Sequence, residues 1–149
     1  MIRKRLLLTL MLLAACSGEH VPQGSLTDGM PTYKEFRQRI GRLPYRAAPE
    51  RSRQILDGMP RLKECASKKD VLDGMGKPDY SESAFGPKGP GEKLLGLTWK
   101  YYLAMQDESS AGSVVEVFFD TSDRAHWIAA TGVDGMRDIG SLEGRCSLK

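Results

Sequence analysis

The chain is poor in histidine and cysteine, and it has no long apolar run. It also lacks a Gly-x-Ser-x-Gly elbow, a His-Glu-x-x-His pair, a phosphate-cradling glycine loop and clustered metal ligands. These absences argue against a hydrolase, a metalloenzyme and a nucleotide-binding enzyme. The longest apolar run, residues 6–13, is far shorter than the roughly 20 residues that a membrane-spanning helix needs. We therefore expect no enzyme activity, no cofactor, no metal and no permanent spanning helix.

The N-terminus has the layout of a removable export signal: basic residues at 3–5, the apolar run, and then Ala14, Ala15 and Cys16. Leu-Ala-Ala-Cys at 13–16 resembles the lipobox of bacterial lipoproteins. That resemblance implies cleavage before Cys16, diacylglycerol on its sulfur and acylation of the new amine, as the only covalent group expected. Several acyl chains anchor a protein stably in a membrane. Residues 1–15 are thus predicted to be a lipoprotein signal peptide.

The residue after the cysteine bears on sorting. In lipoprotein signals an Asp at this place is associated with retention in the inner membrane, whereas this chain has Ser17. By resemblance, the outer membrane is favoured over the inner membrane, with the protein facing the periplasm. Residues 16–31 are rich in Gly, Pro and Ser, so they are predicted to be a flexible tether.

Removal of the signal changes the charge. The chain has 22 basic and 19 acidic residues. The three basic residues at 3–5 leave with the signal, so 19 basic and 19 acidic residues remain. A zero net charge gives no electrostatic footprint for nucleic acid. The remaining length suits one domain, predicted over residues 32–149.

Two cysteines remain once Cys16 carries lipid, Cys65 and Cys146. An even pair in an oxidising compartment predicts a disulfide. The alternative is a catalytic thiol, which would need His20 or His126 as a partner.

Three short helices are predicted before the strands. Thr32 and Glu35 have capping-box spacing ahead of a helix that Gly41 ends, and Ser67 and Asp70 have the same spacing ahead of a helix that Gly76 ends. A helix between them is predicted over residues 50–57. The triplet Asp-Gly-Met occurs four times, beginning at residues 28, 57, 73 and 134. The unequal spacing favours recurrent turn and cap chemistry over a repeat fold.

Apolar residues alternate with others from Leu95, which predicts a long strand over 95–105, followed by strands at 114–119 and 124–131. Short turns between them indicate a three-stranded antiparallel meander. The fold class is therefore α+β, with two or three short helices packed on one face of the meander.

Residues from about 50 to 132, the predicted core of the domain, resemble the SmpA/OmlA (BamE-like) domain. The resemblance is carried by the helix and Gly-x-Pro end at 67–79, by Trp99-Lys100-Tyr101, and by Phe119-Asp120. It implies a non-enzymatic subunit that supports outer-membrane protein assembly. Cys65-Ala66 stands where Gly-Met is expected, and Met75 replaces the usual Leu.

The segment from Lys34 to Arg53 holds seven basic residues against Glu35 and Glu50. It is either a solvated face or a surface for anionic lipid, lipopolysaccharide or an acidic partner. Its candidate binding residues are Arg37, Arg39, Arg42, Arg46, Arg51 and Arg53.

Two further binding candidates are aromatic. Residues 83–93 are rich in Gly and Pro and are predicted to be a mobile loop, which is either a spacer or a partner contact presenting Phe85. Trp99 and Tyr101 share the predicted inward face, so Tyr102 is predicted to be exposed. Two hypotheses follow: a membrane-anchored scaffold that binds an envelope protein, and an inhibitor or immunity lipoprotein that blocks a periplasmic enzyme.

Overall fold

The structure is a computed structural model that describes residues 28–86, 93–108, 112–141, 143 and 146. The predicted signal peptide at 1–15, the lipidation site Cys16 and most of the predicted tether lie outside the described residues. So do residues 87–92 of the predicted loop.

The three helices are α1 (Tyr33–Ile40), α2 (Pro49–Gly58) and α3 (Lys68–Met75). The predicted capping boxes are present at α1 and α3. At α1 the Thr32 hydroxyl accepts from the Glu35 amide, and the Glu35 carboxylate accepts from the Thr32 amide. Ser67 and Asp70 make the same reciprocal pair at α3. Each box satisfies backbone donors that the first turn of a helix leaves free.

The described strands form one antiparallel sheet: β1 (Tyr45–Arg46), β2 (Ala66–Ser67), β3 (Tyr80–Phe85), β4 (Leu94–Met105), β5 (Ser113–Asp120), β6 (Arg124–Thr131) and β7 (Ile139–Gly140). β4 pairs with β5, and β5 pairs with β6. The other edge of β4 carries β3 and β1, and the other edge of β6 carries β2 and β7. The α+β class is confirmed, and the sheet has seven strands rather than three.

One face of the sheet, here called the α2/α3 face, holds the larger core. Trp99 and Tyr101 of β4 are fully buried there, together with Val117 of β5. Ile55 of α2 and Val71 of α3 cover them and are themselves fully buried. Burial of each such side chain contributes about 1.5–3 kcal/mol.

The opposite face, here called the α1 face, holds a second core under α1. Phe36 is fully buried and its ring stacks on Tyr102, with centroids 5.5 Å apart. Tyr80, Met105 and Val114 complete this cluster. Two of the predicted helices, α2 and α3, thus share one face of the sheet, whereas α1 packs on the opposite face because its buried side chain, Phe36, joins the second core. Tyr102 points away from Tyr101, as the alternation requires, but it is only 7% exposed because α1 covers it.

The last residues of the predicted tether belong to the domain. The Asp28 carboxylate accepts from the Trp99 indole N–H and, at 3.3 Å, from the Ser81 hydroxyl. The Pro31 carbonyl accepts from the Ser81 amide at 2.8 Å. These bonds hold residues 28–31 along β3. The predicted tether over 16–31 therefore extends too far at its C-terminal end.

The four Asp-Gly-Met triplets share a structural role. Met59 and Met75 lie in the larger core, and Met30 and Met136 pack against it from the side. Two triplets end helices α2 and α3, whereas the other two lie outside the helices. Methionine is flexible enough to fill gaps of different shape, so the same triplet serves in different local structures.

Two of these triplets bring α2 and α3 into close contact, which gives a matched pair of variants. A methyl group on Gly58 would lie 2.3 Å from the Gly74 carbonyl oxygen, whereas a methyl group on Gly74 would find its nearest neighbour, Leu62 Cδ2, at 3.5 Å. We expect Gly58→Ala to lower the free energy of unfolding by about 2 kcal/mol, because the helices must separate. Gly74→Ala should be neutral or stabilise by about 0.5 kcal/mol. Urea unfolding measures both, and equal effects of the two variants would contradict this helix contact.

Candidate functional site: an open strip across the sheet

The helix α1 covers one end of the α1 face of the sheet. Beside the helix, a row of side chains crosses four strands. In the register, Glu82 lies opposite Thr98, Thr98 opposite Phe118, and Phe118 opposite Trp127. Lys100 lies opposite Glu116 in the next row. Residues paired across strands share a face, so these side chains project on the α1 face. Five of them are partly exposed and are called the open strip here: Glu82, Lys100, Glu116, Phe118 and Trp127.

The charged part of the open strip is a carboxylate–ammonium–carboxylate triad. Lys100 Nζ lies 2.9 Å from Glu82 Oε1 and 2.9 Å from Glu116 Oε1. Burial lowers the pKa of Lys100, but the hydrogen bonds to the two carboxylates outweigh it, so the pKa lies above its usual value. The Glu82 side chain is 48% exposed, against 22% for Glu116. Two carboxylates around one ammonium leave the triad with a net negative charge.

The apolar part is an aromatic pair. The Phe118 and Trp127 rings stack with centroids 4.5 Å apart and an interplanar angle of 18°. The Trp127 indole N–H donates to Asp138 Oδ2 at 3.3 Å, and Asp138 Oδ1 accepts from the Ala130 amide at 3.1 Å. These bonds hold the indole in one orientation. Preorganised aromatic side chains that remain partly exposed are typical of binding surfaces, because they lose little entropy on contact.

Three of the predicted basic binding residues have structural partners. Arg37 pairs with Glu108 at 3.0 Å, and Arg39 pairs with the buried carboxylate of Asp79 at 2.8 Å. Arg51 donates to the Met75 carbonyl at 2.6 Å and to the Lys77 carbonyl, which satisfies acceptors at the end of α3. These guanidinium groups are therefore engaged in contacts within the fold.

Asp79, the partner of Arg39, is a buried carboxylate. It is 5% exposed, and Oδ2 accepts from the Tyr102 amide at 2.7 Å. Burial raises the pKa of Asp79, and this effect outweighs the opposing effects of the Tyr102 amide and of the Arg51 and Arg39 guanidinium groups. Asp79 therefore ties α1 to β4, because one carboxylate oxygen bonds Arg39 and the other bonds the Tyr102 amide.

Arg42, Arg46 and Arg53 are exposed, and no described residue forms an ion pair with them. Lys34 lies on α1 and Arg53 on α2, and these helices pack against opposite faces of the sheet. The two ends of the basic segment therefore lie on opposite faces of the sheet, and a binding surface formed by its exposed residues stays a prediction.

The aromatic candidates also differ from the predictions. Phe85 is the last residue of β3, lies opposite Leu94 and is half-buried, so residues 83–85 belong to the sheet rather than to a loop. Tyr102, predicted to be exposed, is buried under Phe36. The open strip was missed, although Phe118 and Trp127 are aromatic residues at positions that alternate with core residues. Aromatic residues on the face opposite the core positions are the sequence signal that predicts such a surface.

Cys65 and Cys146, the predicted pair, lie at disulfide distance, with their sulfur atoms 2.13 Å apart. His126 Nδ1 lies 3.2 Å from the Ser141 carbonyl oxygen. Within the described ranges, no three metal-ligating side chains come together. None of the helices in that part of the chain has the length and apolar character to cross a membrane.

Comparisons of the chain with protein-family models, curated proteins and solved structures give no match. The resemblance to the SmpA/OmlA domain therefore stays a prediction. The candidate site depends on the geometry of this chain alone.

Proposed function

We propose that this chain is a lipid-anchored cell-envelope protein without enzymatic activity, which binds a partner protein through the open strip and supports outer-membrane assembly or integrity. The observation that carries the proposal is the stacked Phe118–Trp127 pair. Asp138 orients the indole, and both rings keep part of their surface exposed. Such rings pack against an apolar partner surface at little cost.

The anchoring part is supported by the sequence. Leu13-Ala14-Ala15-Cys16 follows a basic and an apolar segment, as in lipoprotein signals. The Cys65–Cys146 pair at disulfide distance suits an oxidising compartment such as the periplasm. A lipid at Cys16 would hold the domain within a short reach of the membrane, where envelope proteins are concentrated.

The anchor is tested by metabolic labelling with radioactive palmitate. The full-length chain should incorporate label and sediment with membranes, and Cys16→Ser should do neither. Unlabelled wild-type protein, or label that persists in Cys16→Ser, would contradict the anchor.

The partner-binding part is tested by affinity purification of the tagged chain from detergent-solubilised membranes. The wild-type chain should recover envelope proteins that Phe118→Ala loses, while a matched Arg53→Ala change on α2 retains them. Recovery of a soluble periplasmic enzyme instead would favour an inhibitor. Identical recovery by wild-type and Phe118→Ala would contradict binding through the open strip.

A further inference from the structure

We infer that the open strip recognises a basic segment of a polypeptide, with an arginine stacked on the Phe118–Trp127 pair and bonded to Glu116. The inference rests on the proposed function and names the chemistry of its partner. It combines three observations: the charge of the strip, its aromatic pair, and the way in which this chain binds its own arginines.

Charge selects the class of partner. Glu82 and Glu116 flank one ammonium, and Asp138 adds a third carboxylate beside Trp127. Anionic lipid, phosphate and nucleic acid would meet net repulsion at this surface. A second copy of the chain, docked strip to strip, would bring equal negative charges together. A basic segment is the complementary occupant.

The spacing favours arginine over lysine. Glu116 and Phe118 are two residues apart on one strand, so their side chains stand about 7 Å apart on the same face. A guanidinium that stacks on the Phe118 ring reaches the Glu116 carboxylate with its planar donors. An ammonium makes a point contact with one group or the other, and it loses more hydration on an aromatic surface.

The chain already uses this combination elsewhere. The Arg39 guanidinium lies 5.5 Å from the centroid of the Phe36 ring and bonds Asp79 at 2.8 Å. Arg51 lies 5.3 Å from the centroid of the Tyr101 ring while it bonds backbone carbonyls. At the open strip a ring pair and a carboxylate stand together, and no arginine among the described residues lies over those rings. The partner would supply it.

The test uses the lipidated full chain in neutral detergent and three fluorescein-labelled decapeptides, in which threonine alternates with arginine, lysine or glutamate. Fluorescence anisotropy gives the affinities. The arginine peptide should bind at least about tenfold more tightly than the glutamate peptide and about threefold more tightly than the lysine peptide, and salt should weaken it. Equal affinities for the arginine and glutamate peptides would overturn the inference.

Variants locate the contact. Glu82→Gln with Glu116→Gln should weaken binding of the arginine peptide about tenfold. Glu50→Gln with Asp57→Asn, which removes two exposed carboxylates of α2 on the opposite face, should change it less than twofold. Because the double change removes both partners of Lys100, Glu82→Gln alone is the second variant, with about a threefold loss. Phe118→Leu should remove the preference for arginine over lysine. Unchanged binding in Glu82→Gln and in the double variant would refute the inference.

Failure here is distinguishable from failure of the proposed function. If Phe118→Ala loses an envelope protein while the arginine peptide does not bind, the docking surface stands and the chemistry assigned to the partner is wrong. If changes at Phe118 affect neither the recovery of an envelope protein nor the binding of the arginine peptide, the open strip is not a docking surface.

Discussion

Replacing Cys146 with serine is expected to lower the free energy of unfolding by about 4 kcal/mol. The bond to Cys65 closes a loop with a sequence separation of 81 residues, which spans α3 and every strand from β2 to β7. Without it, the unfolded chain regains the freedom of that long loop. A domain of this size has only about 5–15 kcal/mol of stability, so the loss is a large fraction of it. Urea unfolding followed by circular dichroism measures the change.

The control is the wild-type chain under reducing conditions. With excess dithiothreitol it should unfold at the same urea concentration as Cys146→Ser, and dithiothreitol should leave the variant unchanged. Two titratable thiols at Cys65 and Cys146 in the unreduced native protein, or a variant as stable as the wild type, would contradict the disulfide.

Replacing Phe36 with alanine is expected to cost about 3–5 kcal/mol. Phe36 is fully buried and contacts four aromatic rings, those of Tyr33, Tyr45, Tyr80 and Tyr102. Its removal leaves a cavity between α1 and the sheet that these rings cannot fill. Because α1 buries only this side chain fully, the whole helix should loosen. Urea unfolding gives the stability, and near-ultraviolet circular dichroism reports the aromatic packing.

Tyr33→Ala is the matched control, because Tyr33 lies on the same helix and is 40% exposed. It should cost about 1–2 kcal/mol, less than Phe36→Ala, since a large part of its side chain is already in contact with water. If Phe36→Ala is no more destabilising than Tyr33→Ala, then α1 does not cover Tyr102. The open strip would in that case extend over the whole α1 face.

Local chemistry made much of the fold predictable. The capping boxes at Thr32 and Ser67 depend on side chains three residues apart, so their spacing is visible in the sequence. The long strand β4 is visible because a large apolar side chain stands at every second position from 97 to 103, and these side chains are buried on one face. Gly41 and Gly76 end helices at positive φ, which glycine adopts at low cost.

Long-range contacts made the rest unpredictable. β1, β2 and β7 are two residues long, so they have no period to detect and exist only because a neighbouring strand pairs with them. The burial of Tyr102 depends on α1, which lies more than sixty residues earlier in the chain and packs on the α1 face. Alternation correctly placed Tyr102 opposite Tyr101, but it does not tell which helix covers which face.

The candidate site was hidden for the same reason. The predicted basic segment is continuous in sequence, yet its two ends lie on α1 and α2, which pack on opposite faces of the sheet. Glu82, Lys100 and Trp127 belong to three different strands, and only the register of the sheet brings them into one strip.

The central claim is that a partner docks on the open strip of a membrane-anchored chain. The most direct measurement is photo-crosslinking in living cells, with a photoreactive phenylalanine analogue at position 118 of the full-length protein and, as a control, at the exposed position 53 on α2. The account predicts a light-dependent adduct with an envelope protein from position 118 and none from position 53. No adduct from position 118, or the same adduct from both positions, would contradict it.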